Sequence, residues 1–348
     1  MRRTVFCLAL LVACAACAGG ESTVESGEGY SSWPMIQSVG SRLVCAYSRG
    51  TKHDPLESVR RAWAKWSDDG GRTWHGPHLV GDESGRGETP VGKGLDSKGA
   101  GLFWVRSFPG EKRHTLYRTT DGETFERIAA PSLSPSPVQI TDIVHVPGRG
   151  MVALWFAGSY LESDRGKSWG ELVSVDDGRT WTQRTIAGGL SKSQWPTEPS
   201  FVRLPDGRLL GIARSERYRP GEALQWQLES TDGGITWTQS ETNIRDVMAS
   251  TPSLIYDAKA DLVCNYYYER GKGALKRRVV RPDVVWGKPL AWPEPEVVAR
   301  GSDSSWDSGN ACATAAGGRH YVAYYTGDPT NTSVVVVLAE HEAKGQER

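Results

Sequence analysis

The chain has 348 residues and as many Lys and Arg (41) as Asp and Glu (41), so its formal net charge is zero. That balance argues against a nucleic-acid or anionic-membrane surface, which needs a basic excess. With 40 glycines, 19 prolines, 14 tryptophans and few long apolar runs, the composition points to an all-β chain of many short strands and turns.

Residues 1–20 read as an export signal. Met1-Arg2-Arg3 is a basic start, "VFCLALLVA" (Val5–Ala13) is an apolar stretch too short to span a bilayer, and the small residues of "CAACAGGES" follow. "LVAC", Leu11–Cys14, resembles a bacterial lipobox, so the signal is of plain secretory or lipoprotein type. In the second case Cys14 is a lipid anchor and the chain's one route to a membrane. An exported monomer is expected, secreted or held at the bacterial cell surface or periplasm. Residues 21–29 read as a polar tether and 341–348 as a polar tail. Removing the signal leaves Cys45, Cys264 and Cys312, an odd set without close spacing that reads as buried small hydrophobes rather than a disulfide framework or zinc site.

Between tether and tail the sequence repeats. A strand, a turn and a second strand precede each of the octets "SDDGGRTW" from Ser67, "SVDDGRTW" from Ser174 and "STDGGITW" from Ser230, and the shortened "TTDGETF" from Thr119. Two further strand pairs, "STPSLIYDAKADLVCNYYYER" and "SGNACATAAGGRHYVAYYTG", lack the octet. Six units, each able to form about four short strands, predict a six-bladed β-propeller over residues 30–340. In the octets, Ser and Asp side chains are expected to bond the backbone of a tight turn, which makes Asp69, Asp176 and Asp232 structural. Trp74, Trp181 and Trp237 are expected to anchor each turn between blades. "SDRGKSW", Ser163–Trp169, reads as a loop insertion, and the basic strand "ALKRRVVR", Ala274–Arg281, as a solvated face.

The octet resembles the Asp-box, or BNR repeat, of the sialidase (neuraminidase) superfamily, which implies a sialidase-like propeller. "EPSFVRLPDGRLLGIARS" is similar to a sialidase segment, and the similarity implies that Glu198 assists a nucleophile and Arg214 grips a substrate carboxylate. "YSRGTKHD" keeps a sialidase spacing that implies Arg49 and the acid/base Asp54. "YYYERGKG" places Arg270 as another carboxylate-binding arginine. Two features depart from the pattern. "SSWP", with Ser32 and Trp33 before Pro34, replaces the usual arginine-isoleucine-proline of the first blade. "WDSGNAC" puts Asn310 where the nucleophilic tyrosine is expected, leaving Tyr30, Tyr266, Tyr267 and Tyr268 as substitutes.

Repeat position alone assigns Trp33, Glu88, Asp142, Glu198, Trp306 and Asp307 to the channel mouth, with Arg49, Arg106, Arg214 and Arg270 after the second strands. Carboxylates interleaved with arginine forks and flanked by tryptophans suit an anionic sugar. His53 reads as a loop histidine. The expectation is an exo-acting glycoside hydrolase of sialidase type that removes a terminal acidic sugar from a glycan, with no metal and no cofactor. Its rivals are a non-catalytic glycan-binding propeller and an assembly-factor propeller working through protein contacts.

Overall fold

The computed structural model describes residues 20–339 except Asp82, Ser84, Glu111, 162–165 and 219–220. The expected export signal with Cys14, the tail at 341–348 and the start of the expected insertion at Ser163 lie outside the described residues. In chain order the strands are β1 (Glu21–Glu25), β2 (Gly29–Val39), β3 (Arg42–Gly50), β4 (Arg61–Ser67), β5 (His75–Leu79), β6 (Gly87–Leu95), β7 (Gly101–Phe108), β8 (Arg113–Thr119), β9 (Glu126–Ala129), β10 (Gln139–Val146), β11 (Gly150–Ala157), β12 (Lys167–Ser174), β13 (Thr182–Leu190), β14 (Pro196–Arg203), β15 (Leu209–Ser215), β16 (Gln225–Ser230), β17 (Thr238–Glu241), β18 (Ser253–Asp257), β19 (Leu262–Glu269), β20 (Ala274–Val280), β21 (Glu296–Arg300), β22 (Gly309–Ala316), β23 (Arg319–Gly327) and β24 (Asn331–Ala339). Among the described residues helix amounts to single turns at Lys192–Gln194 and Pro282–Val285.

The strands form an all-β propeller. Strands β6–β9, β10–β13, β14–β17 and β18–β21 are four separate four-stranded sheets, each an antiparallel meander. This differs from the expected six separate blades, because the first and last repeats are fused into one eight-stranded sheet. There β24 pairs in parallel with β2 at Gly29↔Asn331 and Tyr30↔Thr332, and antiparallel with β1 from Glu21↔Val337 onward. The polar-tether reading of residues 21–29 is therefore corrected for Glu21–Glu25. The valine run Val334–Val337 of β24 needs an edge partner, and β1 supplies it while burying Val24. Glu25 is held in place by the Tyr47 hydroxyl at 2.6 Å and Lys65 at 3.1 Å.

The first strands touch in order, β2 with β6, β6 with β10, β10 with β14, β14 with β18, β18 with β22 and β22 with β2, so they close a ring. Apolar layers fill the spaces between neighbouring sheets: Val152, Leu154 and Phe156 meet Phe201, Leu209 and Leu228, and Tyr266 and Tyr268 meet Tyr324 and Val335. A sheet with two apolar faces can bury both only between two others, which is why the repeat runs around a ring.

The octets are the turns between third and fourth strands. In the third copy, Asp232 Oδ1 accepts the Thr236 N–H at 2.8 Å and Oδ2 accepts the Thr236 hydroxyl at 2.6 Å, while Ser230 Oγ accepts the Gly234 N–H at 2.8 Å. Asp69 and Asp176 repeat this wiring. These donors hold the Asp176 and Asp232 carboxyls down at about 2. Trp181 and Trp237 donate their indole N–H to Gly178 and Gly234 and pack edge-on against Trp104 and Trp169. Trp74 reaches instead to Ser22 Oγ of β1. In the shortened copy, Gly122 has φ +79°, and a Cβ there would sit 2.8 Å from Val44 of the preceding repeat, so both conformation and packing require glycine.

Two local readings are corrected. Arg277 and Arg278 of the basic strand are buried rather than solvated, because Glu296 and Asp246 pair with them and the Tyr266 and Tyr267 hydroxyls accept from them. Lys167–Trp169, the end of the expected insertion, open β12.

Candidate functional site

Five of the first strands lose register at one place: between Ser32 and Met35, Pro90 and Gly92, Ile140 and Ile143, Thr197 and Ser200, and Gly309 and Cys312. A bulge inserts residues that pair with nothing and re-aims their side chains. Three of the bulged residues adopt a left-handed backbone, Trp33 at φ +52°, Glu198 at +48° and Asn310 at +48°. This conformation is costly for a side chain with a Cβ and persists only where the surroundings enforce it. All three line one cavity of about 510 Å³ at the ring's centre.

The cavity brings together six of the nine expected site residues: Trp33, Asp142, Glu198, Arg214, Arg270 and Trp306. Asp142 Oδ2 accepts the Ser200 hydroxyl at 2.6 Å, and Oδ1 lies 3.8 Å from Lys93. Arg106, assigned on repeat position, also lines it.

Arg49, Asp54 and Asp307 stand outside. Strand alternation buries Ser48 and turns Arg49 outward, where it donates to Glu28 O at 3.3 Å and lies 3.9 Å from Glu25. Asp54 caps its own loop, Oδ1 accepting the Leu56 N–H at 2.9 Å and Oδ2 lying 3.5 Å from Lys52. Its neighbours His53 and Pro55 line the cavity in its place. Asp307 is buried, accepting the Tyr30 hydroxyl at 2.9 Å and the Ser304 hydroxyl at 2.9 Å. Glu88 is likewise buried away from the cavity, its Oε2 without a partner among the described residues, and burial pushes its carboxyl up to about 7. Tyr266, Tyr267 and Tyr268 are spent between sheets, bonded to His320, Asp246 and Ser302.

The β14–β15 wall is a closed ionic cluster. Arg214 Nη1 lies 3.1 and 3.2 Å from the two Glu198 oxygens, Nε lies 3.1 Å from Glu216, and Nη2 donates to the Tyr218 hydroxyl at 2.9 Å. The Thr251 hydroxyl donates to Glu198 at 2.5 Å. Burial raises the Glu216 carboxyl even though Arg214 opposes it. Beside this cluster the Tyr160 hydroxyl is buried without a partner among the described residues, and burial followed by Glu198 and Glu216 raises its pKa.

Elsewhere, Arg270, Arg106 and Lys192 have no carboxylate partner among the described residues, whereas buried Arg60 lies 3.4 Å from Glu57. Arg270 donates to Ser308 O at 2.7 Å, Ala249 O at 2.6 Å and Asn310 Oδ1 at 2.8 Å, and lies 5.8 Å from the Trp306 ring. Arg106 donates to Val138 O at 2.9 Å, and burial lowers its pKa to about 10. Lys192 donates to Tyr160 O at 2.6 Å. His53 Nδ1 meets the Tyr30 hydroxyl at 2.7 Å, and burial together with Arg270 lowers its pKa. Under this loop Arg60, fully buried, bonds Ser48, Asp54 O and Lys52 O and lies 4.7 Å from the Trp33 ring.

Sequence reasoning missed Tyr160, Lys192, Glu216, Tyr218 and Arg60, and read His53 as a loop residue. The lateral connections that carry Tyr160 and Lys192 have no counterpart in the repeat. Glu216 lies two residues beyond the motif that marked Arg214, near enough to have been considered.

A family profile described as BNR repeat-like domain matches residues 110–291, more than half of the chain. The chain belongs to that family. No curated protein sequence matches it. Among solved structures, this BNR-repeat protein is similar to a Dyadobacter fermentans protein of unknown function (TM-score 0.73, 16% identity, 93% of this chain and 99% of that one). It is also similar to the Hadza microbial sialidase Hz136 (TM-score 0.64, 17% identity, 89% and 66%) and to Trypanosoma rangeli sialidase in complex with sialic acid (TM-score 0.65, 14% identity, 93% and 59%). The chain thus spans about two thirds or less of the two sialidases' lengths, and at these identities the likeness is one of fold.

Proposed function

We propose that this BNR-repeat protein is an exo-acting glycoside hydrolase of sialidase type that accepts the terminal, acid-bearing sugar of a glycan. The eight-stranded sheet then counts as the first and last of six blades, fused by the two-residue parallel bridge. The observation that carries the reading is Glu198, held on a strained bulge beside the Tyr160 hydroxyl, in a cavity where, among the described residues, that hydroxyl has no partner and Arg106, Arg270 and Lys192 have no carboxylate. Those cations attract the sugar's acid group, and Trp33 and Trp306 offer faces to its ring. Glu198 accepts the Tyr160 proton as the phenolic oxygen attacks the anomeric carbon. The bonding electrons leave with the glycosidic oxygen, which takes a proton from the His53 imidazolium, and water then cleaves the glycosyl-tyrosine with retention.

The test is turnover of a fluorogenic α-sialoside and of matched uronides by the folded protein. Glu198→Gln and Tyr160→Phe are each expected to lower kcat at least ~100-fold while leaving ligand binding measurable. Because burial and Arg270 favour neutral imidazole, the acid form of His53 is present only below the ordinary histidine range, near 6.5. Turnover should therefore fall as pH rises, with its limb below that value. Wild-type protein that binds acidic sugars without turnover would support the second reading, glycan binding alone, which the position of Asp54 outside the cavity favours.

A further inference from the structure

A second cavity of about 240 Å³ lies behind one wall of the first, lined by Lys112, Arg113, His114 and Arg127 together with Glu83 and the 130–133 segment. The two cavities are separated by a cross-strand pair. Arg106 on β7 faces the main cavity, and His114, directly opposite it on β8, lines the smaller one. The smaller cavity is cationic. Glu83, the one acid lining it among the described residues, is already engaged by Ser107, Arg86 and Arg113. Lys112 and Arg127 have no ion pair among the described residues. His114 is 2% exposed, and its Nε2 has no hydrogen-bond partner among the described residues. Burial, followed by the charge of Arg106, pushes His114 down to about 3, so the ring is neutral at neutral pH; its other nitrogen donates to the Val138 backbone, which leaves Nε2 as the acceptor. A bare anion would satisfy the cations and leave that nitrogen unmatched, and a neutral sugar would do the reverse.

We infer that this cavity is a second subsite for an acid-bearing sugar, with Lys112 and Arg127 holding the acid group and His114 Nε2 accepting a neighbouring hydroxyl. The inference rests on the reading of the main cavity and deepens it. The glycan then carries acid groups on two residues, one on each side of the Arg106–His114 wall.

The experiment is titration of the full folded chain with D-glucuronate, read at the His114 ring nitrogens by long-range proton–nitrogen NMR. Glucose and inorganic sulfate serve as separate arms, and Lys112→Ala/Arg127→Ala as the variant. Both side chains are at least partly exposed, so the variant folds. Glucuronate is expected to shift the His114 Nε2 resonance, glucose and sulfate far less, and the variant to bind glucuronate about tenfold more weakly at that site. An unmoved His114, an equal response to sulfate or to glucose, or an unaltered response in the variant would each overturn the assignment. This readout needs no turnover, so loss of the hydrolase reading with the His114 response intact would remain distinct from loss of the subsite.

Discussion

Two walls of the main cavity use their arginines in opposite ways. On the β14–β15 wall, Arg214 is fixed between Glu198 and Glu216 and shares the Tyr218 hydroxyl. On the β22 side, Arg270 is held as firmly, but by two carbonyls and the Asn310 amide. Both are oriented, Arg270 buried and Arg214 nearly so, yet only Arg270 keeps a charge without a carboxylate among the described residues. A carboxylate ligand gains little from a guanidinium already paired with two carboxylates and much from one held by neutral dipoles. An arginine found by motif is therefore a candidate for position, while its partners decide whether it is free to bind.

Removing either arginine tests that difference. Arg214→Ala should cost most, about 3–5 kcal/mol by urea denaturation, because it leaves two neighbouring buried carboxylates without a counter-charge. A cost under about 1 kcal/mol would mean that the cluster does not hold the wall. Glu88, on β6, gives a smaller, pH-dependent effect. Its carboxyl titrates at about 7 in the folded chain, against an ordinary value of 4.5 once unfolding exposes it, so the folded chain binds the extra proton and loses stability as pH rises through that window. Glu88→Gln should raise Tm more at pH 8 than at pH 5, and an equal shift at both values would contradict the assignment. The smallest effect is expected at Asp54, on the β3–β4 loop that packs over Tyr30 and Trp33. Asp54→Asn should change turnover less than about tenfold, since its contacts lie within the loop, whereas His53→Gln should lower it by more. The reverse order would restore Asp54 to the acid role.

The repeat, the Asp-box turns and the channel-mouth positions of Trp33, Glu198 and Arg270 were all legible in the sequence. The neighbouring residues were not. Asp54 and His53 are adjacent, yet one caps the loop and the other reaches the cavity; Arg49 matches a motif spacing, yet Arg60, eleven positions on, is the arginine buried under that loop. The spacing of a motif survives such changes, but a bulge of one or two residues reverses which side chain faces inward.

By itself the sequence determined the elements whose hydrogen bonds close locally. Asp232, Ser230, Gly234 and Thr236 satisfy one another within one octet, so the pattern states the turn wherever it occurs. Only the tertiary structure decided how the ring closes and which charges remain free. Gly29 pairs with Asn331, 302 positions away, and Tyr160, Arg214 and Arg270 reach the same cavity from three different sheets. Whether such groups meet depends on packing across the ring and on bulge geometry, and no local spacing encodes either.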